Sequence, residues 1–537
     1  MNSRLVAIII KKHQTVFSAS IVLAVTFALS AVLGFLRSRF LYAHFFQCCV
    51  LELDAYNAAF RIPDLIFKLL VSGALSASFI PVFSASLKKE PKDAYRLAST
   101  VVNLLLICFI IIATLAAIFT KELSGLIASG FNPDQIELMA SLSRILLISQ
   151  IFFLVSNFFT AILQVNEIFF VPALSPIIYN LVIIASIFLL APFWGIWGVV
   201  WGCVIGSSLH FLIQIPSIRH IGFKYTFNFD FRLKGVREVI RLMLPRSLSL
   251  GLGEIENTAT LFFASSLSAG SISILNLAMQ LMYLPSRIFG TTLGQASLPI
   301  LSKRIANNDI VNFRSILGRT LRQSLYIAFP VTILILVNRL SIIRLLFGAR
   351  AFPWSATVLT ARTLAFLAPA IIFQAIIQIL VRAFYALHDT RTPLKVSFVS
   401  LFFSLSSAWY LINFTDLGIV GLAISASLGN FVQCFGLCLF FLKKIDGLNL
   451  SSVYYYLIKL LLASLFSGSV SWLTMRLIDS LSGGTFRTYS LMINLFFSLS
   501  FGLIGYYVLS HLLKMSEALD YQRRLNKLLP KTASVSF

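Results

Sequence analysis

Residues 59–83 read AFRIPDLIFKLLVSGALSASFIPVF. At about 1.5 Å per residue a helix of that length crosses a bilayer, yet the stretch carries Arg61, Asp64 and Lys68 and is broken by Pro63, Gly73 and Pro81. A charge at the bilayer centre costs about 2.5–3.5 kcal/mol even on the gentler insertion scale, so such groups turn toward a bundle interior or a water-filled cavity. With Asp54 and Asn57 upstream, the polar residues are spaced 3, 4, 3 and 4, which places Asp54, Asn57, Arg61, Asp64 and Lys68 on one helical face. Their signs alternate, so neighbours partly neutralise one another. The prolines cannot complete helical hydrogen bonds, and Gly73 permits close approach or bending, so the segment is expected to be bent or broken. Pro63, Gly73 and Pro81, with Pro285 further on, become candidate gating positions.

The rest of the chain supplies the surroundings such a segment needs. Of 537 residues 58% are hydrophobic and 12% charged, with fifty Phe, a composition outside the soluble globular range. Apolar runs near 17–36, 54–84, 98–119, 138–163, 169–192, 195–215, 238–264, 272–302, 316–338, 356–385, 393–413, 418–442, 454–475 and 488–513 predict fourteen spans, numbered 1 to 14. They are far longer than the roughly 10-residue alternating segments of a membrane barrel. The fold class expected is therefore an all-α polytopic membrane protein.

The net charge of +23 would suggest nucleic acid in a soluble chain, but here the placement of Lys and Arg reports topology. With both termini cytoplasmic, 27 basic residues fall on the cytoplasmic side and 8 on the other. The first segment, MNSRLVAIIIKKHQTVF, lacks a convincing small-x-small cleavage site and reads as leading into a retained span. The six cysteines, without paired CxxC spacing, read as packing residues. The six histidines show no ligand spacing and no Walker or GxGxxG loop appears. Neither a metal nor a cofactor is expected, catalysis is not expected, and transport would draw on Na+, H+ or the membrane potential.

Two halves of the chain match. Phe131/Phe352, Ala140/Ala361, Phe152/Phe373 and Pro172/Pro393 are each 221 residues apart, and PDLIFKLLVSGALSASFIPVFS (63–84) resembles PSRIFGTTLGQASLPILSK (285–303). Six spans separate the copies, so they share one orientation: a parallel repeat. The expected organisation is an N-terminal lobe over 1–218, a second lobe over 219–446, and spans 13 and 14 with a tail over 447–537. In span 7, Glu254 and Glu256 are two residues apart and diverge on a regular helix unless Gly251–Leu252–Gly253 unwinds it. Together with Asp64 they are candidates for binding a coupling cation or proton. The embedded arginines and lysines suit an anionic head group, because guanidinium forks pair with phosphate oxygens; Arg37 and Arg39, at the end of span 1, would equally suit snorkelling to the headgroups.

The run VLGFLRSRFLYAHFF, then LDAYNAAFRIPDLIFKLLVSGALSASFIPVFS, LPSRIFGTTLGQASLPILSK and FYALHDTRTPLK resembles the MurJ (MviN) lipid II flippases of the multidrug/oligosaccharidyl-lipid/polysaccharide exporter superfamily, over essentially the whole chain. That resemblance implies two six-helix lobes around a cationic cavity, and spans 13 and 14 as a groove for a lipid tail. It implies a bacterial inner-membrane protein that moves lipid II, or a similar polyprenyl-pyrophosphate glycolipid, to the outer leaflet beside a cell-wall synthesis complex. Arg37 matches the arginine of the family's LGF-x-R motif, Asp54 the acid of its DAF-like motif, and Lys68 a basic position of span 2. Ala31, Ser38, Ser72, Met279 and Gln280 depart from the pattern; Gln280 replaces an expected arginine, and Arg287, seven residues on, returns to nearly the same face. The substrate-binding candidates are thus Arg37, Arg39, Asp54, Arg61, Lys68 and Arg287. An exporter of O-antigen units and a polyprenyl-dependent glycosyltransferase are the rival readings.

Overall fold

The computed structural model describes residues 16–72, 78–230, 232–348, 352–444, 450–481 and 488–519. Within them the chain is mostly helical, and no strand occurs among the described residues. Among the described residues eleven helices are long and apolar enough to cross a membrane. The other three expected spans are 2 and 8, which are interrupted by π-helical turns, and 7, which carries Glu254 and Glu256. Large apolar side chains such as Phe398, Phe402, Phe466 and Phe496 are exposed, as a lipid-facing surface requires.

The chain divides into two compact units, Met1–Ser273 with Leu346–Pro353, and Ile274–Leu345 with Trp354–Phe537. Span 7 therefore packs with the spans before it. The reason is local: span 7, Lys234–Ser265, lays Ser247, Gly251 and Glu254 along one side against span 2. The Ser247 hydroxyl donates to Leu69 O at 2.5 Å, and a Cβ on Gly251 would meet the Leu69 side chain at 3.2 Å, so the two helices approach closely there.

In the first unit, span 1 runs Val16–Phe45, nine residues beyond its expected end, so Arg37 and Arg39 lie inside the helix rather than at its tip. It packs along span 5, Phe170–Leu189, where Asn180 donates to Ser30 O at 3.3 Å. Spans 3 (Pro91–Ile118), 4 (Pro133–Val165) and 6 (Ile196–Leu212) complete the bundle. Its core is aromatic, with Phe79, Phe83, Phe109 and Phe158 fully buried. Span 4 begins with a capping box in which Asn132 and Gln135 satisfy each other's backbone amides.

Span 2 is in pieces, as its prolines predict: Val50–Ala59, Arg61–Phe67, a π-helical turn Lys68–Ser72, and Ile80–Lys89. Pro63 leaves Ala59 O without its amide partner, and the buried Ser143 hydroxyl of span 4 donates to it at 2.9 Å. Pro81 sits in the first turn of the last piece, where a missing amide costs nothing. Gly73 lies outside the described residues.

In the second unit the matching motif breaks in the same manner. Span 8 runs as Ser271–Pro285, a π-helical turn Ser286–Thr291, then Thr292–Ala306. Span 9 is Ile310–Phe347, span 10 the pair Trp354–Leu367 and Pro369–Ala386, span 11 Arg391–Phe414 and span 12 Ile419–Lys444. Spans 13 (Leu450–Leu481) and 14 (Thr488–Leu512), outside the duplication, are fastened to span 9 by buried hydroxyls and an amide. Asn338 donates to Ser471 Oγ at 2.8 Å and accepts from Ser498 at 2.7 Å, and Tyr506 donates to Tyr326 O at 2.6 Å. Such bonds substitute for a hydrophobic driving force that lipid cannot supply.

Cys48 and Cys49 lie side by side in the short connection between spans 1 and 2, where the chain turns out of the apolar run. Cys203 and Cys434 are buried.

Candidate functional site

The expected five-residue face of span 2 is divided by the break at Phe60, and its two parts turn to different partners. The upper part is a cap. Asp54, 3% exposed, accepts from Gly270 N at 2.6 Å, Ser273 N at 2.9 Å and Ser273 Oγ at 2.6 Å. Its carboxylate thereby satisfies amides at the start of the helix that begins at Ser271. Gly270 has φ +87°, a left-handed conformation for which glycine is suited. Asn57 donates to Ser273 Oγ at 3.0 Å and Tyr42 OH at 3.2 Å, and Tyr42 donates to Ser273 O. Asp54 is thus occupied by backbone and hydroxyl donors.

The lower part is a charge cluster between spans 2, 4 and 7. Lys68 Nζ lies 2.9 Å from Glu254 Oε1, and Arg61 Nη1 lies 3.8 Å from Glu254 Oε2. Asp64 accepts from the Gln150 amide of span 4 at 3.1 Å. Two cations face two carboxylates, so the cluster is neutral in sum. Glu254 is buried and the other three are half-buried, and opposite charges close by offset the cost of taking them out of water. The pairing is incomplete: Arg61 Nε and Glu254 Oε2 have no hydrogen-bond partner among the described residues.

Span 7 stays helical through Gly251–Leu252–Gly253. Glu254 and Glu256 consequently project from different sides, and of the two it is Glu254 that meets Arg61 and Lys68. Arg37 occupies a third place. It is half-buried and makes no ion pair among the described residues. Tyr56 OH and Cys203 Sγ are 3.6 Å apart. Arg39 is half-buried two residues on. Arg287 belongs to the second unit, exposed in the π-helical turn that follows Pro285.

Several partners escaped the sequence reading. Gln150 stands alone in the apolar run LLISQIFF, a signal that an amide surrounded by aliphatic residues must find a polar partner. Gly270, Ser273 and Tyr42 carry no comparable mark, since Ser and Tyr are common throughout these spans.

A bundle of long helices in two units, with paired broken spans and ion pairs inside the bundle, is the architecture of a membrane transporter. The fold is shared with a multidrug resistance MATE family transporter of the MOP superfamily solved in an inward-facing conformation (TM-score 0.65, 14% identity, 78% of this chain and 94% of that one). A lipid II flippase MurJ structure in an inward closed conformation matches with a TM-score of 0.73 and 26% identity, over 92% of this chain and 99% of that one. The family model for the lipid II flippase MurJ matches residues 42–497. A probable lipid II flippase MurJ of Bdellovibrio bacteriovorus is 28% identical over 90% of this chain and 92% of its own length. The lipid II flippase MurJ of Burkholderia cenocepacia is 25% identical over 75% and 78%. The chain belongs to the lipid II flippase MurJ family, membrane transporters rather than enzymes.

Proposed function

We propose that this chain translocates lipid II, the undecaprenyl-pyrophosphate-linked peptidoglycan precursor, from the inner to the outer leaflet of the bacterial inner membrane, with both termini cytoplasmic. Family membership carries the reading, and the state of Arg37 supports it: a half-buried guanidinium with no carboxylate partner among the described residues suits phosphate oxygens. Family membership also favours this reading over a polyprenyl-dependent glycosyltransferase or an O-antigen exporter. The excess of Lys and Arg on one set of loops supports the orientation.

Alternating access is the mechanism the fold supports, since a MATE transporter of the MOP superfamily has been solved both inward- and outward-facing. The broken spans 2 and 8, with Pro63, Pro81 and Pro285 at or beside their breaks, supply flexible points for such a motion. The two lobes would then be the duplicated halves, 1–218 and 219–446, with 447–537 as the tail-binding addition. Arg37, Lys68 and Arg61 are assigned to the head group, and Arg287 to the role vacated at Gln280. Asp64 and Glu254, inside the charge cluster, are better placed than Glu256 for any coupling to Na+, H+ or potential. The chain would work beside the enzymes that make and polymerise the precursor.

The test is complementation in a bacterium depleted of its own flippase, with outer-leaflet lipid II measured. The wild type restores it and Arg37→Ala does not. Failure of the wild type removes the transport reading, and restoration by both removes the Arg37 assignment alone.

A further inference from the structure

Lys68 and Arg61, two of the cations assigned to the head group, are not empty: Glu254 already lies against both. The carboxylate comes from another span, on an unbroken helix held against span 2 by Ser247 and Gly251, so its position is built rather than incidental. Yet the triad is poorly closed. Lys68 has a good contact at 2.9 Å, whereas Arg61 stands off at 3.8 Å, beyond hydrogen-bond distance. Arg61 Nε and Glu254 Oε2 are buried without a hydrogen-bond partner among the described residues, which is costly for charged groups. A site optimised only for stability would close that gap. A site that must exchange one anion for another would leave it open.

We propose that Glu254 is the resting counter-anion of the head-group site: it holds Lys68 and Arg61 between transport cycles and is displaced from them by the diphosphate of the incoming lipid. The inference rests on the flippase reading given above. Without Glu254, Arg61 and Lys68 would face Asp64 alone, and one positive charge of the pair would stand uncompensated in the empty state. With it, the diphosphate gains only the difference between its own contacts and those of Glu254. Its oxygens offer Arg61 the bidentate geometry that the carboxylate does not achieve at 3.8 Å. On release Glu254 returns, so the same group that lowers affinity speeds departure. Asp64, held by Gln150, keeps its place in both states and is the charged neighbour that faces the exchange from span 2.

The experiment measures the affinity and dissociation rate of purified lipid II on the detergent-solubilised full chain, with Glu254→Gln and Glu254→Asp. Removing the competing charge in Glu254→Gln is expected to tighten binding about tenfold and slow dissociation, with flipping slower. Glu254→Asp keeps the charge and the fold but withdraws the carboxylate by one methylene, and is expected to tighten binding about threefold. Unchanged or weaker binding in both variants, with the wild type binding, overturns the counter-anion role and leaves the flippase reading intact. Absence of lipid II binding by the wild type and both variants overturns the flippase reading itself.

Discussion

Asp54 and Ser273, 219 residues apart in sequence, form a two-point contact in which one carboxylate oxygen accepts both the backbone amide, at 2.9 Å, and the side-chain hydroxyl, at 2.6 Å, of the same serine. The second oxygen takes Gly270 N. Charge-assisted bonds of this type are roughly twice as strong as neutral ones. Replacing Asp54 with Ala leaves two amides unsatisfied in a buried position and is expected to cost about 2–4 kcal/mol. Asp54→Asn keeps one acceptor and should lose about half as much. Chemical or thermal denaturation of the purified protein reads the difference; equal stability of Asp54→Ala and wild type would show that the cap contributes nothing.

Ser143 and Pro63 should be energetically coupled. The hydroxyl is needed at Ala59 O because proline cannot donate there. Ser143→Ala is expected to destabilise by about 1–2 kcal/mol, and by less in a Pro63→Ala background, where the backbone amide returns. A double-mutant cycle showing additivity would remove the compensation argument.

Asp389, in the turn between spans 10 and 11, titrates outside the membrane. Burial pushes its carboxyl up, but the Lys444 ammonium at 2.6 Å and the Thr392 amide and hydroxyl outweigh it and hold it at about 2. A folded value below the unfolded one means the stabilisation is present above about pH 4 and fades as pH falls toward 2. Asp389→Asn should therefore lower the denaturation midpoint at pH 6 and converge with wild type near pH 2. Parallel curves over that range would contradict the pairing.

Arg287 should be required for transport and dispensable for folding. It is exposed and makes no ion pair among the described residues, so Arg287→Ala is expected to leave thermal stability within about 0.5 kcal/mol of wild type. It should abolish complementation of a flippase-depleted strain. Normal growth would show that the function of the arginine lost at Gln280 is carried elsewhere.

The class of the molecule was legible because bilayer chemistry leaves few choices. Fifty Phe and recurring apolar runs require helices that satisfy their own backbones, and the paired P-x-x-I-F motifs announced breaks that both appear as π-helical turns. Helical spacing also showed that Glu254 and Glu256 diverge, once span 7 stays regular. What spacing could not convey is partner choice. The face of Asp54, Asn57, Arg61, Asp64 and Lys68 reads as one surface, but the break at Phe60 sends its two ends to different neighbours.

By itself, then, the sequence determined a polytopic helical transporter, its duplicated broken spans and the inventory of embedded charges, because hydropathy and helical periodicity are local properties. Only the tertiary structure decided that Asp54 caps the turn at Ser273, that Lys68 is held by Glu254 and that Arg37 has no carboxylate among the described residues. Those outcomes depend on which helices pack together across more than a hundred residues of chain. A buried charge takes whatever counter-charge that packing brings within reach.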